Sequence, residues 1–264
     1  MNAPRVLILR APGINRDTDA AHACSLAGGD PTIAHVNRLA DGSVRLDDYA
    51  MLVIPGGFSY GDHLGAGRLL AVDLIHRIGE ALRTFVESGR PVIGICNGFQ
   101  VLVKAGVLPG WDAPPNAHDA PIAVTLTDNA SAQFECRWVN LSANTDSPCI
   151  FTKGLHHPIE VPVAHGEGRI AVRTSSDLAA LEAHHLVALR YVTPENRAYP
   201  ANPNGSPNGI AGICNPRGNV LGLMPHPENA VRPQQHPRWT REAPRREGDG
   251  LVIFRNAVTY ASQL

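Results

Sequence analysis

The sequence has 264 residues, 44% of them hydrophobic, enough for one large buried core, and its formal charge of −1 gives no strong field toward nucleic acid or a membrane surface. The first apolar run, Val6 to Leu9, is too short for a signal peptide or a membrane helix, and five cysteines without a Cys-x-x-Cys pair read as reduced thiols, so a cytoplasmic location is expected. The two lysines, Lys104 and Lys153, do not close a Gly-x-x-x-x-Gly-Lys phosphate loop, so any ATP chemistry is expected on another chain.

The first hundred residues alternate strand and helix signals. Val6 to Leu9 reads as a buried strand, and Asp17 to Leu26 as a helix capped by Asn15 or Asp17. Thr32 to Val36 and Met51 to Ile54 read as strands. Leu74, Ile78, Leu82 and Phe85 recur at three- and four-residue spacing, which predicts a long helix over Leu69 to Val86. Pro91 to Ile95 is the next strand and Gly98 to Lys104 the next helix. Strands joined by helices imply a parallel sheet covered on both faces, with ligands gathered beyond the carboxyl ends of the strands. The middle of the chain changes character. Ile122 to Leu126 and Arg137 to Leu141 read as antiparallel strands, and His157 to Val163 and Ile170 to Val172 as further extended segments. Ser176 to His184 reads as a helix and Leu186 to Val192 as a strand. Ile210 to Cys214 and Val220 to Met224 flank the turn-rich Asn215-Pro216-Arg217-Gly218-Asn219 and predict a hairpin. Arg232 to Gly250, rich in Pro, Arg and Gln, is expected to loop out. Leu251 to Ala261 closes the chain as an amphipathic helix.

The chemistry centres on Val92-Ile93-Gly94-Ile95-Cys96-Asn97-Gly98-Phe99-Gln100. A nucleophile on a sharp strand-to-helix turn needs small neighbours, and glycines stand two positions before and after Cys96. The following helix would direct free N–H groups and a partial positive charge at the sulfur, favouring the thiolate. A reactive cysteine also needs a proton-transfer partner and a group to orient it. Pro225-His226-Pro227-Glu228 offers both, 130 positions downstream. In an extended segment the side chains of His226 and Glu228 leave the same side, so Glu228 can fix the tautomer while the other nitrogen faces Cys96. Pro55-Gly56-Gly57-Phe58 follows a buried strand and can present N–H groups to a developing oxyanion. The N–H groups of Gly57 and Asn97 are assigned that role.

Gly-Ile-Cys-Asn-Gly-Phe-Gln together with the distant Pro-His-Pro-Glu resembles the class I glutamine amidotransferases. The narrower resemblance is to the glutaminase subunits of phosphoribosylformylglycinamidine synthase. It rests on Pro12-Gly13-Ile14-Asn15-Arg16-Asp17, Gly56-Gly57-Phe58-Ser59-Tyr60-Gly61-Asp62, Val163-Ala164-His165-Gly166-Glu167-Gly168-Arg169, Asn202-Pro203-Asn204-Gly205-Ser206 and Val220 to Glu228. It implies a flavodoxin-like α/β fold, mostly parallel with antiparallel additions, and a single glutaminase domain over residues 1–264. It implies a Cys96–His226–Glu228 triad hydrolysing glutamine, with Gln100 lining the glutamine pocket. No cofactor or metal is expected in this chain. ATP and magnesium would sit on a synthetase subunit that receives the ammonia, and a small accessory subunit would join the complex. Two other readings share the pattern: a glutaminase serving another ammonia-channelling synthase, and a non-catalytic binding module on the same fold. Asn229 stands where the family commonly has Arg, and Pro233 to Gly248 is longer than the family usually carries.

The remaining features have plainer readings. Cys24, Cys136, Cys149 and Cys214 read as inert thiols. His156-His157 and His184-His185 read as surface pairs, because adjacent histidines in a strand point apart. Gly65-Ala66-Gly67 reads as a turn before the long helix, and Arg238, Arg241, Arg245 and Arg246 as a solvated loop. His165-Gly166-Glu167-Gly168 is either a glycine-rich turn or a second functional loop.

Overall fold

The computed structural model describes residues 3–114, 118–193 and 201–264. The chain begins with β1 (Arg5–Arg10), α1 (Asp17–Leu26), β2 (Asp30–His35) and the short α2 (Val36–Ala40). Then come β3 (Met51–Ile54), α3 (Arg68–Glu87), β4 (Val92–Ile95) and α4 (Asn97–Lys104). The second half holds β5 (Val124–Asp128), β6 (Glu135–Ala143), β7 (Ile159–His165), β8 (Glu167–Val172), α5 (Ser175–Ala183), β9 (Val187–Val192), β10 (Ile210–Cys214), β11 (Val220–Leu223) and α6 (Leu251–Ala261).

Nine strands form one sheet in the order β2-β1-β3-β4-β11-β10-β9-β6-β7. The run from β2 to β11 is parallel, and β10, β9, β6 and β7 add on antiparallel. Every residue of β3, β4 and β11 is buried, as continuous apolar strands between helical layers must be. α1 packs with α6, and α3 with α4. The core is one contiguous apolar cluster running from Val6 to Ala261. Among the described residues no helix is long and apolar enough to cross a membrane.

Four expectations need correction. The α1 cap is neither Asn15 nor Asp17: Arg16 holds that position without a side-chain cap bond, and Asp17 is turned to Arg10 and to the N–H of Thr18. The second strand ends at His35, because Val36 already begins α2, whose Asn37 N–H is accepted by His35 Nδ1 at 3.2 Å. β5 does not join β6; it pairs with β8 in a separate two-stranded sheet, while β6 lies between β9 and β7. The 232–250 segment does not loop out. His236, only 3% exposed, bonds Glu160 of β7 through Nε2 at 2.9 Å and meets the Trp138 ring edge-on at 5.1 Å. Arg238 bonds the same Glu160 oxygen at 2.9 Å, and Arg245 reaches Glu242 and Asp249. Arg238, with Arg245 at 3.9 Å, thus fastens this segment to Glu160 of β7, a contact no linear pattern reveals, while Arg241 and Arg246 stay exposed as the sequence suggests.

Candidate active site

β4 delivers Cys96 to the carboxyl edge of the sheet, and α4 begins one residue later. Its φ of 50° and ψ of −105° are strained for a side-chain-bearing residue, at a cost on the order of 1–3 kcal/mol. Bonds on both sides hold the turn. The Cys96 N–H donates to the Leu223 carbonyl at 2.8 Å, and its carbonyl accepts from the N–H groups of Phe99 and Gln100 at 3.0 and 3.1 Å. Gly98 lets α4 come this close to β3: a Cβ there would lie 1.9 Å from the Ile54 carbonyl oxygen. The Cys96 thiol points its S–H at the Ala164 carbonyl, at 3.7 Å.

β11 is hydrogen-bonded to β4 in register Leu223↔Ile95, so the residues just beyond both strands meet. His226 is fixed there by its N–H, which donates to the Pro162 carbonyl at 2.8 Å. The sequence reading expects an extended His-Pro-Glu segment. Instead Pro227–Ala230 form one 3-10 turn, and this turn brings Glu228 Oε1 to 2.6 Å from His226 Nδ1. Both side chains are buried. Burial alone would push the imidazole down, but the Glu228 carboxylate and then the Cys96 sulfur outweigh it and hold His226 up at about 10. Its Nε2 is buried and has no hydrogen-bond partner among the described residues.

Gly56 closes the gap between strands. A methyl group on it would lie 2.8 Å from His226 Cε1 and 3.5 Å from Cys96 Cβ. The sequence marks Gly56 only as half of a Gly-Gly turn; its packing role, a contact between three distant segments, has no local signal. Gly57 forms a bridge with Ile14, closed by Phe58 N–H to the Gly13 carbonyl at 2.9 Å and Asn15 N–H to the Gly56 carbonyl at 3.4 Å. That pattern leaves the Gly57 N–H outside the ladder. The Asn97 N–H, first in α4, likewise has no partner within its helix. The Asn97 side chain ties the two donors together. Its Oδ1 accepts from the Ser59 N–H at 3.1 Å, and its Nδ2 donates to Asp62 at 3.1 Å and Gln100 at 3.0 Å. This role too was absent from the sequence reading, which used only the Asn97 backbone.

A cavity of about 670 Å³ opens over the thiol, lined by Cys96, His226, Gly57 and Gln100 from the predicted set. Glu228 lies behind His226 and does not line it. Gln100 Nε2 donates to the Glu167 carbonyl, so its amide shapes the wall. The other wall is the His165–Glu167 loop, the stretch the sequence leaves between turn and site. His165 is 3% exposed, and burial, then the charge of His226, push it down to about 4. Asn202 to Ser206 buttress this wall from behind: Asn204 Nδ2 donates to the Gly168 carbonyl at 2.7 Å, and the Ile170 N–H donates to Ser206 Oγ at 3.0 Å.

A buried thiol on a strained turn, faced by a carboxylate-oriented imidazole and by spare N–H donors, is suited to acyl transfer from an amide. The family model for the CobB/CobQ-like glutamine amidotransferase domain matches residues 3–261, and the chain belongs to that family. Within it, the chain is 45% identical over 269 residues to phosphoribosylformylglycinamidine synthase subunit PurQ of Dehalococcoides mccartyi, covering 100% of both. It is 48% identical over 245 residues to the PurQ subunit of Treponema denticola, covering 86% of this chain and 88% of that one. Among solved structures it resembles a chain in the structure of PurLQS from Thermotoga maritima, at 34% identity and a TM-score of 0.73, over 98% of this chain and 99% of the other.

Proposed function

We propose that this chain is the glutaminase subunit of phosphoribosylformylglycinamidine synthase, working in the cytoplasm as one domain. The observation that carries the reading is the meeting of Cys96 and the His226–Glu228 pair at the β4–β11 edge, in a chain whose similar relatives are named phosphoribosylformylglycinamidine synthase subunit PurQ. The Cys96 thiolate attacks the carboxamide carbon of glutamine. The N–H groups of Gly57 and Asn97 stabilise the tetrahedral oxyanion, each worth about 10²–10³ in rate. Protonated His226 gives its Nε2 proton to the departing nitrogen; the C–N bond breaks, ammonia leaves, and the γ-glutamyl group stays on Cys96 Sγ as a thioester. Neutral His226 then takes a proton from water, whose oxygen attacks the thioester and releases glutamate and the thiol. Glu228 holds the imidazole in place and stabilises its charged form throughout. Ammonia passes, shielded from water, to a synthetase subunit that holds ATP and magnesium, and an accessory subunit completes the complex.

The test measures glutamate release from glutamine, with and without the synthetase subunit. Release should rise when the partner and its ligands are present. Cys96→Ala should lose at least about 10³-fold while keeping its melting temperature. Undiminished release by that variant would refute the mechanism.

A further inference from the structure

The Glu228 carboxylate is held by position more than by bonds. Its Oε1 meets His226 Nδ1, while Oε2 is buried and has no hydrogen-bond partner among the described residues. The Pro227–Ala230 turn that carries it is a single 3-10 turn, too short to keep its own shape. Besides the packing of α1 and α6 against it, the turn is held by the far end of the 232–250 segment. The Gly248 N–H donates to the Val231 carbonyl at 3.0 Å, and the Gly250 N–H to the Ala230 carbonyl at 2.8 Å. Both glycines lie directly against the turn. A Cβ on Gly248 would stand 2.1 Å from the Ala230 carbonyl oxygen, and one on Gly250 2.2 Å from that of Pro227. Between them, Asp249 reaches across to β7, where its Oδ2 accepts the Glu160 N–H at 2.9 Å. Arg245 Nη1 steadies this carboxylate by donating to Oδ1 at 2.9 Å. Two residues further along β7, the Pro162 carbonyl accepts the His226 N–H at 2.8 Å.

Resting on the glutaminase reading above, we propose that Asp249 is a positioning residue for the reaction, joining the turn that carries Glu228 to the strand that anchors His226. The contacts close a ring. It runs from His226 through Pro162 and Glu160 of β7 to Asp249, then through Gly250 and Ala230 back to Glu228. With Asp249 in place, carboxylate and imidazole are both referred to β7, and the 2.6 Å bond between them keeps its length while the imidazole gives and takes its proton. Without Asp249, the turn drifts from β7 while His226 stays on it. Asp249 does not line the cavity over Cys96, so it acts through this pair and not on the substrate.

The experiment is a double-mutant cycle on glutamate release by the complex with its synthetase partner, run at a temperature where circular dichroism shows every variant folded. Asp249→Ala should lower kcat roughly ten- to hundredfold and leave KM for glutamine unchanged. In the Glu228→Gln background the same substitution should cost no more than about twofold, because the pair it positions is already broken. Asp249→Asn, which keeps an oxygen for the Glu160 N–H, should restore most of kcat. If Asp249→Ala does not fold, Arg245→Met, which leaves the Asp249 carboxylate unbraced, takes its place in the cycle with a smaller kcat loss of the same pattern. An unchanged kcat, or an equal loss in both backgrounds, would overturn the proposal and leave Asp249 as a brace for the fold alone. Absence of Cys96-dependent release from glutamine by the wild-type complex would overturn the glutaminase reading itself, and this proposal with it.

Discussion

Gly98→Ala puts the close approach of α4 to β3 under direct strain. The added Cβ would meet the Ile54 carbonyl oxygen at 1.9 Å and its carbon at 2.7 Å. Both are backbone atoms, so no rotamer change relieves the clash. Recovering even a tight contact of 3.0 Å requires α4 to retreat from β3 by about an ångström. Overpacking of this kind costs roughly 1–3 kcal/mol, and a rigid backbone neighbour places this case near about 3 kcal/mol. For a chain of this size that is a fall of roughly 6–12 °C in melting temperature. The functional loss should be larger than stability alone explains. Cys96 and Asn97 sit at the start of α4 while Gly57 follows β3, so the retreat separates the proposed nucleophile from the Gly57 N–H. A misplacement of about 1 Å costs on the order of 10²-fold. The assay is glutamate release at a temperature where the variant is folded by circular dichroism, beside its melting curve. Gly79→Ala is the matched control. It lies in α3 with no atom nearer than 3.7 Å, so it should stabilise by roughly 0.5–1 kcal/mol and leave turnover unchanged. If Gly98→Ala melts with the wild type and keeps its activity, the packing argument for this turn is wrong.

Glu228→Gln should remove the first of the two groups that hold His226 up at about 10, so that burial pulls the imidazole down against the Cys96 sulfur alone. Because the folded protein binds this proton more tightly than the unfolded chain, the pair stabilises fully below about pH 6.5 and its contribution fades as pH rises toward about 10. The variant should lose that part of the pH dependence of melting and drop about 10²–10⁴-fold in turnover; a melting-versus-pH curve that overlays the wild type would contradict the assignment. Asn97→Leu keeps the backbone donor but deletes the bonds to Ser59, Asp62 and Gln100, so kcat should fall by roughly tenfold or more, while alkylation of Cys96 by iodoacetamide continues. Equal loss in both assays would point to a collapsed site instead.

Much of the fold is legible in local pattern. β3 and α6 fall on the predicted boundaries, and α1 does so despite a misread cap, because each is a short apolar or amphipathic run bounded by turn residues. The proposed triad is legible because its residue types are chemically distinctive, although its geometry is not: the 3-10 turn at Pro227 replaces the extended form that two prolines suggest. What escapes the sequence depends on distant partners. α2 is only five residues long and carries no periodicity. The pairing of β5 with β8, the seating of His236 on Glu160, and the staple made by the Asn97 side chain all join positions dozens of residues apart. No local window contains them.

The pairing of β11 with β4 has a consequence for how the protein comes into being. Cys96 is made early, yet its proposed base, His226, and the strand that precedes it emerge only after the antiparallel half has been synthesised. A ribosome-bound chain that has folded its first hundred residues therefore carries a thiol with no means of finishing a turnover. On the proposed mechanism, catalytic competence therefore arrives only with the completed sheet.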